Sequence, residues 1–98
     1  MIKMRLHPGP FERIKSGAKK VECRLYDEKR QQLAVGDQIV FVNRADGTEV
    51  EREVVALRPF PDFASMFKQF PEESINDIYQ YYTPADEKKF GVVAIELK

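Results

Sequence analysis

The sequence has one cysteine, one histidine and no long apolar run, and these shortages exclude several kinds of site. Because Cys23 and His7 stand alone, neither an intrachain disulfide nor a cluster of cysteine and histidine metal ligands can form. We therefore predict no metal site and no cofactor. A membrane-spanning helix needs about 18 apolar residues in a row, and no run here approaches that length. We expect a cytoplasmic protein without a membrane partner.

The chain also lacks net charge, since 16 basic residues balance 16 acidic ones. Proteins that bind long nucleic acids mainly by neutralising phosphates usually carry a strongly basic domain. The charge is nevertheless uneven, because residues 1–30 contain nine Lys or Arg against four acids. We therefore expect any nucleic-acid contact to be local and to involve this N-terminal third.

Length and apolar periodicity predict one globular domain covering residues 1–98. Alternating apolar residues indicate strands, and apolar residues at i, i+3 and i+4 indicate helices. The resulting order, β-α-β-β-β-α-α-β, favours an α+β fold: a small, mostly antiparallel β-barrel with short helices packed outside. A ferredoxin-like sandwich is the competing architecture. The predicted strands cover residues 2–6, 20–25, 38–43, 48–57 and 92–97; the helices cover about 10–16 and follow the caps Asp62 and Thr83, with helical spacing repeated over 75–82.

The predicted strand over residues 20–25 has one apolar and one charged side, because successive side chains of a strand alternate. Charge runs of this kind most often lie on a solvated face, where an ion pair contributes little. The alternative is a charged side that lines a polar cleft. The apolar side comprises Val21, Cys23 and Leu25, and the charged side Lys20, Glu22 and Arg24, of which the last two can pair.

The segment Gly17-x-Lys19-Lys20-x-Glu22-x-Arg24 resembles the G-x-K-x-x-E-x-R signature of the ASCH domain family. Members of this family are PUA-like barrels that handle RNA or nucleobase-type ligands. Three further segments are similar to the family's first helix, the turn before its third strand and its last strand. They are Leu6-x-Pro8-x-Pro10-Phe11-x-x-Ile14, Val35-Gly36-Asp37 and Gly91-Val92-Val93-Ala94-Ile95.

The resemblance implies a charged cleft beside the turn between the first helix and the second strand. Lys19 would offer an ammonium group to a phosphate or carbonyl, and Arg24 a planar fork to a phosphate or base edge. Glu22 would accept a hydrogen bond from an exocyclic amine, and Lys20 and Tyr26 would add ligand contacts. The expected ligand is RNA, a nucleotide or a modified nucleoside; the oligomeric state stays open.

Two other functions stay open. Some ASCH-type proteins are amidohydrolases that act on N4-acetylcytidine, with a catalytic lysine at the position of Lys19. They carry a threonine where this chain has Glu22, and a further glutamate whose counterpart here would be Glu72 or Glu73. A hydrolase of this kind, or a ribonuclease, would use Lys19 as base and Glu22 as its partner. A protein-interaction adaptor would instead be supported by an exposed apolar patch around Phe60 and Phe63.

Overall fold

The computed structural model describes residues 2–70 and 83–98, and it shows an α+β arrangement of short elements in that part of the chain. The helical spacing over 75–82 lies outside the described residues. The predicted α+β class with short helices is confirmed, and the single domain stays a prediction. The strands are β1 (Ile2–Leu6), β2 (Val21–Leu25), β3 (Gln38–Asn43), β4 (Glu49–Phe60) and β5 (Val92–Leu97); the helices are α1 (Pro8–Ser16), α2 (Phe63–Gln69) and α3 (Pro84–Phe90), with a 3₁₀ turn at Arg30–Gln32.

The five strands form one mixed sheet in the order β1-β3-β4-β5-β2. β3 and β4 pair antiparallel, as expected for strands joined by the turn at Asp46 and Gly47. β1 and β3, however, pair parallel, with Met4 opposite Phe41. The chain between them contains α1 and β2, which supplies the long crossover that a parallel pair requires. Periodicity alone does not reveal strand direction.

The hydrogen bonds of β5 show that its two neighbours are antiparallel to it. Just before β2, the carbonyl of Lys20 accepts from the amide of Leu97. Just after β2, the amide of Tyr26 donates to the carbonyl of Gly91. The residue numbers on β5 therefore fall as those on β2 rise. β4 also runs antiparallel to β5. The amide of Lys98, after the end of β5, donates to the carbonyl of Glu53, whereas Gly91, before the start of β5, lies against Phe60 at the end of β4. The prediction of a mostly antiparallel sheet is confirmed.

The chain divides into two compact units, and each contains buried apolar residues. The first unit comprises Met1–Glu22, Ala34–Ala56 and Ile95–Lys98, and the second comprises Cys23–Leu33 and Leu57–Ala94. The buried apolar residues of the first unit are Met4, Leu6, Phe11, Ile14, Ile39, Val40, Phe41, Val54, Ile95 and Leu97; those described in the second are Cys23, Leu25, Leu33, Phe63, Met66, Val92, Val93 and Ala94.

In the first unit, α1 packs against β1 and β3 through Phe11 and Ile14, which are both buried. The helix begins at Pro8, two residues before the predicted start near residue 10. Both Pro8 and Pro10 fit the first helical turn, because amides there have no acceptor inside the helix. The second proline therefore does not mark the helix start.

In the second unit, α2 and α3 begin at the predicted caps. The carboxylate of Asp62 accepts a hydrogen bond from the amide of Ser65, at 2.7 Å, and the hydroxyl of Thr83 accepts one from Asp86. Phe63 is 0% exposed and stacks on Phe67. Phe63 therefore does not contribute to the exposed apolar patch that would have supported an adaptor, because it begins the buried face of α2.

β4 extends to Phe60, three residues beyond the predicted end at 57, and it includes Pro59. A proline inside a central strand normally removes a hydrogen bond of the ladder. Here β3 begins at Gln38, opposite Glu53, so the last residues of β4 run beyond β3. Pro59 therefore removes no hydrogen bond to β3.

Candidate functional site

The turn that carries the charged signature folds back onto the end of α1. Gly17 has φ +85°, a left-handed conformation that L side chains rarely adopt, and its amide donates to the carbonyl of Ile14. The amide of Lys19 then donates to the carbonyl of Arg13, at 2.9 Å. These two bonds cap α1 and fix where the backbone of Lys19 lies.

Arg52 on β4 holds the same helix end from the other side. Its guanidinium donates to the carbonyls of Ile14, at 3.4 Å, and Lys15, at 3.1 Å. A cation at this position also complements the negative end of the helix dipole. This contact is not among those predicted from the sequence. A signal was present, because Arg52 stands between Val50 and Val54 on the apolar side of the strand.

The side chains of Lys19 and Glu22 meet in an ion pair of low solvent exposure. Lys19 Nζ lies 3.3 Å from Glu22 Oε1, and the two side chains are 11% and 6% exposed. The amide of Lys19 donates to Arg13 of α1, and the carbonyl of Lys20 accepts from the amide of Leu97 on β5. Of the two interpretations left open for the charged side of β2, the solvated face therefore does not hold for Glu22, which is 5% exposed.

The remaining predicted site residues differ in exposure. Lys20 is exposed, whereas Arg24 and Tyr26 are half-buried. Arg24 lies two residues after Glu22 on β2, so both project from the same side of this strand. Glu72 and Glu73 lie outside the described residues. Cys23 is buried, as its place on the apolar side of the strand predicts.

The described residues, 2–70 and 83–98, lack the features of a metal cluster and of a membrane span. Within these ranges no three His, Cys, Asp or Glu side chains approach closely enough to hold a metal ion. No helix in the same ranges is long and apolar enough to cross a membrane.

Comparison with known proteins identifies the family. The model of the family described as ASCH domain matches residues 4–98. The chain belongs to the ASCH domain family. The matched range of this ASCH domain includes the charged signature at residues 17–24 and all three described helices.

Two solved structures resemble this ASCH domain over nearly its full length. The crystal structure of hypothetical protein PH0355 is 36% identical, with a TM-score of 0.85, and the match covers 98% of this chain and 95% of that one. The solution NMR structure of protein PF0455 from Pyrococcus furiosus is 37% identical, with a TM-score of 0.74, and the match covers 99% and 94% of the two chains. No curated protein matches this chain.

Proposed function

We propose that this ASCH domain binds single-stranded RNA, a nucleotide or a modified nucleoside, and that Lys19 and Glu22 recognise the ligand. Family membership supports a general RNA-binding or related function. The observation that carries the finer proposal is the Lys19–Glu22 pair, with side chains only 11% and 6% exposed.

The energetics of such a pair favour a role in recognition over a role in stability. Removing two charges from water costs several kcal/mol for each ion, and their attraction repays this cost only approximately. An apolar pair of similar volume would serve the fold equally well. The low exposure of Lys19 and Glu22 therefore supports a function that needs the charges themselves.

The chemistry of the pair matches the edge of a nucleobase. Lys19 supplies only donors, and ionised Glu22 supplies only acceptors. A base such as cytosine presents a carbonyl acceptor and an exocyclic amine donor side by side, so one base can meet both groups. Hydrogen bonds to charged groups are also stronger where water is scarce. Single-stranded RNA exposes such base edges, which paired RNA hides.

The other residues of the proposed site surround this recognition pair in the sequence. Lys20 is exposed and suits a contact with a phosphate, for which an ammonium acts as a point charge. Arg24 and Tyr26 are half-buried, and each offers a planar group on which a base can stack. We assign these three residues to ligand binding as part of the same proposal.

Binding measurements on two site variants and one control test the proposal. Lys19→Met and Glu22→Gln remove one charge each with little change of shape, and Lys15→Met removes the charge of an exposed lysine on α1. The probes are short fluorescein-labelled RNAs, read by anisotropy, and nucleosides, read by NMR shifts. A lost hydrogen bond to a charged group costs about 1.5–3 kcal/mol, so each site variant should bind about 10- to 100-fold more weakly. Wild-type affinity in both site variants, with folding confirmed by circular dichroism, would refute the recognition role.

The same proteins distinguish binding from hydrolysis. Wild-type protein is incubated with N4-acetylcytidine and, separately, with labelled RNA, and the products are separated by chromatography. Turnover that disappears in Lys19→Met would replace the binding proposal with a hydrolase that uses Lys19 as base. Absence of turnover at high protein concentration, together with measurable affinity, would support binding alone.

A further inference from the structure

Arg52 is a charged residue on the apolar side of β4. In the sheet register it lies opposite Ile39 of β3, which is 0% exposed. Among the described residues, its guanidinium donates to the carbonyls of Glu51, Ile14 and Lys15, at 2.7, 3.4 and 3.1 Å. The last two carbonyls belong to the final turn of α1. Arg52 therefore joins the end of this helix to β4.

Hydrogen bonds continue from Arg52 across the sheet to the turn between α1 and β2. Glu53 follows Arg52, and its carbonyl accepts from the amide of Lys98, at 2.9 Å. Leu97 precedes Lys98, and its amide donates to the carbonyl of Lys20, at 2.8 Å. Through β5, Arg52 is therefore linked to the residue that comes just before β2.

A second set of contacts connects the same turn with α1. The amide of Lys19 donates to the carbonyl of Arg13, which directly precedes the two α1 carbonyls that Arg52 binds. Together the two sets form a closed ring, which we call the turn ring and which runs from Lys19 through α1, Arg52 and β5 to Lys20. All of its residues belong to the first unit. The backbone of Lys19 therefore cannot move far unless a hydrogen bond of the turn ring breaks.

We propose that Arg52 is a positioning residue for ligand recognition, because it closes the turn ring that sets the place of Lys19 relative to Glu22. This role rests on the proposed function of the recognition pair. The Lys19 ammonium lies 3.3 Å from the Glu22 carboxylate, and a site displaced by about 1 Å loses much of its effect. Loss of Arg52 frees the final turn of α1, so the two charged groups must be ordered when a ligand binds, at a cost in entropy.

Anisotropy with fluorescein-labelled RNA measures the effect of substitutions at Arg52. Arg52→Met keeps an unbranched side chain without a donor, and it should weaken binding about 10-fold, within the range of couplings inside one hydrogen-bond network. Arg52→Lys should restore most of the affinity, because an ammonium also donates to carbonyls. Arg52→Gln removes the charge, should also weaken binding, and replaces Arg52→Met if circular dichroism shows that variant to be unfolded. The control Arg44→Met removes an exposed arginine of the same unit outside the turn ring, and its affinity should equal that of the wild type.

A double-mutant cycle with Lys19→Met distinguishes positioning from a direct contact with the RNA. Because Arg52 acts through Lys19, Arg52→Met should weaken binding by less than about twofold in the Lys19→Met background. A further loss of about 10-fold in that background would reveal an independent contact of Arg52 and overturn the proposal. Unchanged affinity in Arg52→Met alone, whatever its free energy of unfolding, would show a purely structural residue and would equally contradict the proposal.

Amide hydrogen exchange of the ligand-free protein separates this role from the proposed function. Arg52→Met should speed exchange of the Lys19 amide about 10-fold more than that of the β3 amides, which report unfolding of the sheet. Equal acceleration of both would overturn the positioning role, and the proposed function would survive if Lys19→Met still lost affinity. Absence of RNA binding by the wild-type protein would overturn the proposed function, and with it the recognition role of Arg52.

Discussion

Replacement of Lys19 by Met should destabilise the fold far more than loss of a surface lysine. At the observed separation of 3.3 Å, Coulomb's law with an effective dielectric constant of about 20 gives an attraction of about 5 kcal/mol. The desolvation cost of the two ions is of similar size, so the intact pair contributes little net stability. Lys19→Met removes the attraction and leaves the Glu22 carboxylate buried, which costs about 3–5 kcal/mol.

The protein supplies a matched control at almost the same distance. Lys3 and Glu49 form an ion pair at 3.4 Å, but their side chains are 67% and 50% exposed. Lys3→Met should therefore cost no more than about 1 kcal/mol. Comparing the two lysine substitutions isolates the effect of burial, because the distance between the charged atoms is almost the same in both ion pairs. It tests whether exposure, and not distance, determines the contribution of a charge pair in this fold.

Urea denaturation followed by circular dichroism provides the free energies of unfolding. The double variant Lys19→Met, Glu22→Leu removes both charges at once, so it should recover most of the stability that Lys19→Met loses. A cost below about 1 kcal/mol for Lys19→Met, equal to that of Lys3→Met, would show that water reaches the Lys19–Glu22 pair. The low exposure of Lys19 and Glu22 would then no longer support a role in ligand recognition.

Two further predictions concern the fold. Gly91 has φ +68° and ψ −171°, a region nearly restricted to glycine, and an added Cβ would lie 3.1 Å from the carbonyl oxygen of Phe60. Gly91→Ala should lower the free energy of unfolding, measured by urea denaturation, by about 1–3 kcal/mol or more. Gly9→Ala, where nothing lies within 4 Å of the added Cβ, should be neutral or stabilising. Equal effects of the two substitutions would contradict the role of backbone strain. The hydrogen bonds from Ser65 hold the pKa of Asp62 below its ordinary value. A carboxyl group with a lowered folded-state pKa contributes stability that is lost as the pH falls through that pKa. The wild-type protein should therefore be more stable than Asp62→Asn at neutral pH and should lose this difference in unfolding free energy between about pH 5 and about pH 2. A stability difference that does not change with pH would refute this.

Local signals predicted most element bounds because they act between residues close in the chain. β3 and β5 span the predicted residues, and α2 and α3 begin at the expected Asp62 and Thr83. Each cap needs only a side-chain oxygen three residues before an amide. The errors arose where two local signals competed, as at Pro8 and Pro10, or where a longer-range pairing decided, as at Pro59.

The sequence by itself determined the family signature, the alternation along β2 and the small number of metal-binding side chains, because these are properties of order and composition. Only the tertiary structure decided that β1 pairs parallel with β3, that Arg52 donates to the end of α1, and that Lys19 and Glu22 form an ion pair of low exposure. Alternation states which side of a strand a residue occupies, whereas the segments packed against that side come from distant parts of the chain. Whether a charged residue meets water or a buried partner is therefore decided by the packing of those segments.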